Sequence, residues 1–158
     1  MNIIINTQSF NTHNAYWLDT KPNIIMDGNF TKINYINEIF TMNGIFLTFP
    51  IQISSIDIVD NKKQMKFNTT NYANASLIKE FVKIEHRLLD NYMQTKQINH
   101  KKNYLLAKQL YSGIMKIYKE NIQNETNMHT TQYVIKISGV WETTNECGLT
   151  YKLFEAYN

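Results

Sequence analysis

Lysine and aromatic side chains are the residues whose types and spacing could do chemistry together in this chain, and that chemistry is non-covalent. Cations follow a phosphate backbone and release counterions, while flat rings stack on bases. Residues 76–120 hold nine basic and four acidic side chains, against seven and nine in the remainder, so all the net positive charge lies there. At about 100° per residue, Lys79, Lys83 and Arg87 form one stripe on a helix, and Lys101, Lys108, Lys116 and Lys119 form another. Tyr104, Tyr111 and Tyr118 recur every seven residues beside the second stripe. The plainer reading is a solvated helix face bordered by packing tyrosines. A second set falls on strands. With the most apolar strand faces turned inward, Lys32, Asn34, Phe46, Thr48, Lys136, Ser138, Lys152 and Phe154 point outward. These too have a plainer reading, as the wet side of an antiparallel sheet with Phe46 and Phe154 covered by a helix or an N-terminal arm.

Covalent chemistry has less to work with. Glu85 falls on the apolar face of a predicted helix, where an unpaired carboxylate is costly, so it is expected to meet a lysine or a tyrosine hydroxyl and not to act as an acid or base. His13, His86, His100 and His129 show no metal-ligand spacing, and a single cysteine excludes a multi-cysteine zinc site. Cys147 lacks an activating base nearby. There is no Walker loop, no Gly-x-Gly-x-x-Gly, no Gly-x-Ser-x-Gly and no carboxylate cluster for magnesium. Binding without catalysis, metal or cofactor is the expectation.

The elements that must position these residues are read from periodicity. Residues 1–22 are polar and irregular and suggest an arm, with Tyr16-Trp17-Leu18 as its apolar anchor; residues 23–158 then make one domain. Alternation predicts strands over 30–36 and 43–53, the second bent at Pro50, and a short third strand over 56–59 or 65–67. Ser76 is a plausible N-cap for a helix over 77–94, and a second helix is predicted over 101–119 with Gly113 among its packing residues. Residues 121–131 lack periodicity and suggest a loop. Strands over 133–141 and 149–154 complete the chain as a hairpin, with Trp141 at the inward phase of Tyr133, Ile135 and Ile137.

Three strands, two helices and two strands is the order of an α+β OB-fold: a five-stranded Greek-key barrel with a two-helix insertion between strands three and four. Three segments carry a family likeness: Met26-Asp27-Gly28-Asn29-Phe30, Thr41-Met42-Asn43-Gly44-Ile45, and Lys136-Ile137-Ser138-Gly139-Val140-Trp141-Glu142 followed by Gly148-Leu149-Thr150-Tyr151-Lys152. Together they resemble small OB-fold, single-stranded-DNA-binding-like proteins of large double-stranded DNA viruses. The resemblance implies a protein that protects exposed single strands in replication, recombination or repair. With Arg87 as the lone arginine, the chain has little material for bidentate base reading, which favours sequence-tolerant binding. RNA stays open beside DNA, as does a homo-oligomer, and the rival expectation is a viral structural or assembly protein that uses the same surfaces for subunit contacts. One cysteine and no apolar run of bilayer length point to an intracellular chain without a membrane partner, in host cytoplasm or nucleus if viral.

Overall fold

The structure, a computed structural model, describes residues 3–118 and 131–157. Its elements in chain order are β1 (Ala15–Pro22), β2 (Asn29–Ile36), β3 (Thr41–Asn43), β4 (Ile45–Thr48), β5 (Ile53–Val59), β6 (Lys62–Phe67), α1 (Tyr72–Lys96), β7 (Lys101–Asn103), α2 (Leu105–Ser112), β8 (Ile114–Tyr118), β9 (Thr131–Glu142) and β10 (Glu146–Tyr157). Two short 3-10 turns, Thr7–Ser9 and Thr12–Asn14, precede β1.

All ten strands belong to one mixed sheet that runs β1-β2-β9-β10-β8-β6-β5 and does not close. The five-stranded OB barrel is therefore not the fold. The long hairpin β9–β10 forms the middle, and each of its strands is shared by two neighbours. β9 pairs with β4 through 134–137 and with β2 through 139–142. β10 runs parallel to β7 through 146–148 and parallel to β8 through 153–154. Both α1 and α2 precede β8 in the chain, so the parallel β8–β10 pair is connected through β9, which is antiparallel to β10.

Alternation sets the inner face, with Ile33 and Tyr35 from β2, Ile45 and Leu47 from β4, Met65 and Phe67 from β6, Met115 and Ile117 from β8, and Leu149 and Leu153 from β10 all buried. Across that face lies α1, which buries Ile78, Phe81, Ile84, Leu88, Leu89 and Tyr92. Phe81 meets Phe49 edge-on at 5.4 Å, and Tyr92 meets Trp17 at 5.0 Å, so one helix ties the β6 side of the core to the β1 side. The helix starts before Ser76: Asn71 is its N-cap, its side chain accepting from the Asn74 backbone N–H. Among the described residues no helix is long and apolar enough to cross a membrane.

Several expected elements are corrected. The helix predicted over 101–119 is three elements, β7, α2 and β8, because Gly113 ends α2 in a left-handed conformation (φ +75°). A Cβ there would sit 2.7 Å from the Phe67 carbonyl oxygen, which shuts out any other residue. Lys119 and the segment 121–130 lie outside the described residues, and Thr131 is already in β9. The strand predicted over 43–53 is divided at Gly44 (φ +92°) and around Pro50 into β3, β4 and the start of β5. Both candidates for the third strand exist, joined as a hairpin by Asp60 and Asn61, each at positive φ. Residues 15–22, expected to be irregular, are the edge strand β1.

Candidate nucleic-acid interface

Pairing register brings the strand lysines and aromatics together on the outer face of the sheet. Phe46 pairs with Lys136, and Lys136 with Lys152 on the next strand. Phe154 pairs with Tyr118 one strand further on. Lys116, expected on a helix, is on β8 two residues before Tyr118 and so joins this face. Neighbouring strands stand about 4.8 Å apart, which places these side chains within reach of one another. The Lys116 and Lys152 ammonium groups lie 4.4 and 4.9 Å from the centre of the Tyr118 ring, and Phe154 meets that ring edge-on at 6.5 Å. None of Lys32, Lys116, Lys136 and Lys152 makes an ion pair among the described residues. Two unpaired ammonium groups on one ring repel each other, and a phosphate between them would relieve that repulsion.

Phe46 is not the free platform its alternation suggested. It is only 8% exposed, and the Lys136 ammonium stands 5.3 Å over its ring. The free edge of β4 is also covered, because Ile5 donates to the Phe46 carbonyl and accepts from the Thr48 N–H.

The aromatic that takes its place on this face is Trp141. The alternation in β9 reads inward through Ile135 and Ile137, but the register shifts between Ile137 and Gly139, leaving Ser138 as an extra residue. Val140 is then inward and Trp141 outward, paired with Phe30 on β2. The indole lies over Gly148, where a Cβ would come within 2.7 Å of its ring. Trp141 and Phe30 line a groove of about 1040 Å³, walled by Pro22 and the β1–β2 connection, with Lys21 and Lys32 at its side. Ile24 and Ile25 in that connection are 100% and 95% exposed. Thr150 lines the groove, and Lys152 follows two residues along the same strand, so groove and lysine cluster form one strip.

The helix-borne candidates form a second surface. Lys79, Lys83 and Arg87 are exposed on α1, which packs on the inner side of the sheet. Lys101 is exposed on β7, and Lys108 on α2 donates to the Asn103 side chain at 2.9 Å. Tyr104 stacks on His86 at 3.9 Å and Tyr111 is 56% exposed. The seven-residue tyrosine repeat thus falls on the N-cap of α2, on α2 itself and on β8, and marks no common face.

Glu85 is fully buried and, among the described residues, hydrogen-bonds to neither lysine nor tyrosine. Its two carboxylate oxygens accept the Leu106 and Ala107 backbone N–H groups, each at 2.8 Å, and so cap α2, which has no side-chain cap of its own. Burial raises its pKa above the ordinary carboxylate value, against the lowering effect of those two N–H groups and of Lys108. Cys147 is buried, and loss of hydration pushes its thiol up to about 11. Among the described residues no three His, Cys, Asp or Glu side chains cluster as metal ligands; His129 lies outside them. Comparison with protein-family models, with curated proteins and with solved structures finds no match for this chain.

Proposed function

We propose that the chain binds single-stranded DNA on the outer face of its sheet, without sequence preference and without catalysing a reaction. The observation that carries this reading is the convergence of Lys116 and Lys152 on the Tyr118 ring beside Phe154. Phosphates follow Lys32, Lys136, Lys152 and Lys116, the last two held by the Tyr118 ring, while bases stack on Phe154 and Trp141. No arginine stands on this face to read a base edge bidentately, so affinity is set by charge and stacking. In this role the chain protects single strands in replication, recombination or repair inside the cell, in host cytoplasm or nucleus for a viral chain.

The test is a salt series with a labelled thymine oligomer. Replacing Lys116, Lys136 and Lys152 with Gln should flatten the slope of log affinity against log salt by about 0.7 per lysine. An unchanged slope would remove this face from the binding reaction. An RNA oligomer offers the same phosphates and rings and belongs in the same series.

A second reading rests on the exposed Ile24-Ile25 tip and the apolar groove beside it, which suit subunit contacts in a structural or assembly protein. Such contacts resist salt, whereas phosphate binding does not. Replacing Ile24 and Ile25 with Ser should dissolve an oligomer under that reading, and under the first should leave the salt slope of DNA binding unchanged, since no cation is lost.

A further inference from the structure

Where the N-terminal segment crosses α1, its two 3-10 turns and the side chain of Arg87 border an open cavity of about 520 Å³. Its polar lining includes Ser9, Asn11, Thr12 and His13, and no carboxylate. The rim is held in place by its own hydrogen bonds. Asn6 and Asn11 side chains accept the Ser9 and His13 N–H groups at 2.8 and 3.0 Å. The buried Tyr35 hydroxyl accepts from the Asn11 N–H at 3.0 Å, and the Thr7 hydroxyl is bonded to Glu80 on α1. The Ser9 and Thr12 hydroxyls, the His13 ring and the Arg87 guanidinium, by contrast, have no hydrogen-bond or ion-pair partner among the described residues.

A basic chain that otherwise uses lysine has its one arginine here, lining a fixed polar cavity. A guanidinium differs from an ammonium in offering two parallel N–H donors matched to two oxygens of one oxyanion. We infer that this cavity is a binding site for a phosphate monoester of nucleotide size. Arg87 takes two phosphoryl oxygens, the Ser9 and Thr12 hydroxyls donate to the remaining oxygen, and Lys83, one helical turn before Arg87, adds positive potential. A volume of about 520 Å³ leaves room for the organic group beyond the phosphate. The inference does not depend on DNA binding at the sheet, because α1 lies against the other face.

The experiment follows the Arg87 side-chain N–H resonance of the full chain by NMR while inorganic phosphate, thymidine 5′-monophosphate or thymidine is added at constant ionic strength. A saturable shift is expected with phosphate, a tighter one with the monophosphate, and none with thymidine or chloride. A 5′-phosphorylated oligomer that binds more tightly than the mononucleotide would identify a strand end as the source of the phosphate; equal affinity would identify the free nucleotide. In Arg87→Lys, followed through the Ser9 and His13 backbone N–H signals, affinity should fall about tenfold, the loss of one charge-assisted hydrogen bond. Arg87→Gln should abolish the response, with an unchanged thermal melt to show that the fold is intact. Lys116→Gln with Lys152→Gln should leave it untouched. A shift that does not saturate, that chloride reproduces, or that survives in Arg87→Gln would overturn the proposal.

Discussion

At Glu85 a single side chain decides whether two segments distant in sequence dock. Its carboxylate serves the first turn of α2 from a position on α1, so the charge that looks misplaced on an apolar face is a cap delivered across the core. Glu85→Gln keeps one acceptor and turns an N–H toward the other backbone N–H; it should cost about 1–3 kcal/mol in urea unfolding, the range for stranding a buried donor. Cys147 gives the pH dependence. Its folded thiol titrates at about 11 against an ordinary 9.0, so the folded state holds the proton more tightly than the unfolded chain does. Stability from this group is full below pH 9.0 and declines as pH rises toward about 11, and unfolding curves across that window should slope more steeply for the natural chain than for Cys147→Ala. The place of Glu85 on an apolar face was readable from the sequence, but its partners were not, because backbone N–H groups leave no residue-type signal; for Cys147 the sequence showed only the lack of an activating base, not its burial.

Among the elements, those with strong and uninterrupted period were legible. α1 was found within five residues of its start, and β2, β9 and β10 within a few of their ends. What escaped was phase. Gly113 looks like a small packing residue in a helix, yet beyond it Met115 and Ile117 alternate with Lys116 and Tyr118 as a strand does. That change carries Lys116 from a helix stripe to the sheet face. In β9 the extra residue at Ser138 reverses the facing of everything after it, a change that alternation alone cannot announce. Trp141 therefore leaves the core list and enters the site. Trp141→Ala should keep the fold, with near-native circular dichroism and melt, and weaken oligomer binding by about 1–3 kcal/mol. Loss of folding would mean that the indole supports the sheet and does not stack on bases. β1 was missed for a third reason: an edge strand exposed on most of its length has no apolar face to create a period.

Taken whole, the sheet has a well-tied middle and two open margins. β9 and β10 each exchange hydrogen bonds along both edges, whereas β5 and β1 have one neighbour apiece. Backbone N–H groups of residues 134–140 and 147–153 should be the slowest to exchange with deuterium and those of β1 and β5 the fastest, a gradient measurable by mass spectrometry of peptic fragments. Counting strands in order along the chain leads to five, but it cannot reveal that two hairpin strands are each shared by two partners, since that is a relation between distant segments. The sharing has a consequence for how the molecule comes into being. β10 follows every other strand along the chain and yet occupies the centre, so a ribosome delivers both flanks of the sheet before the strand that joins them. Until residues 146–157 emerge, β8 and β9 each hold an unsatisfied edge and the nascent flanks have nothing to register against. Native pairing across the middle of the sheet thus waits for β10, a set of long-range contacts that closes slowly, and a holding chaperone has most to protect before it forms.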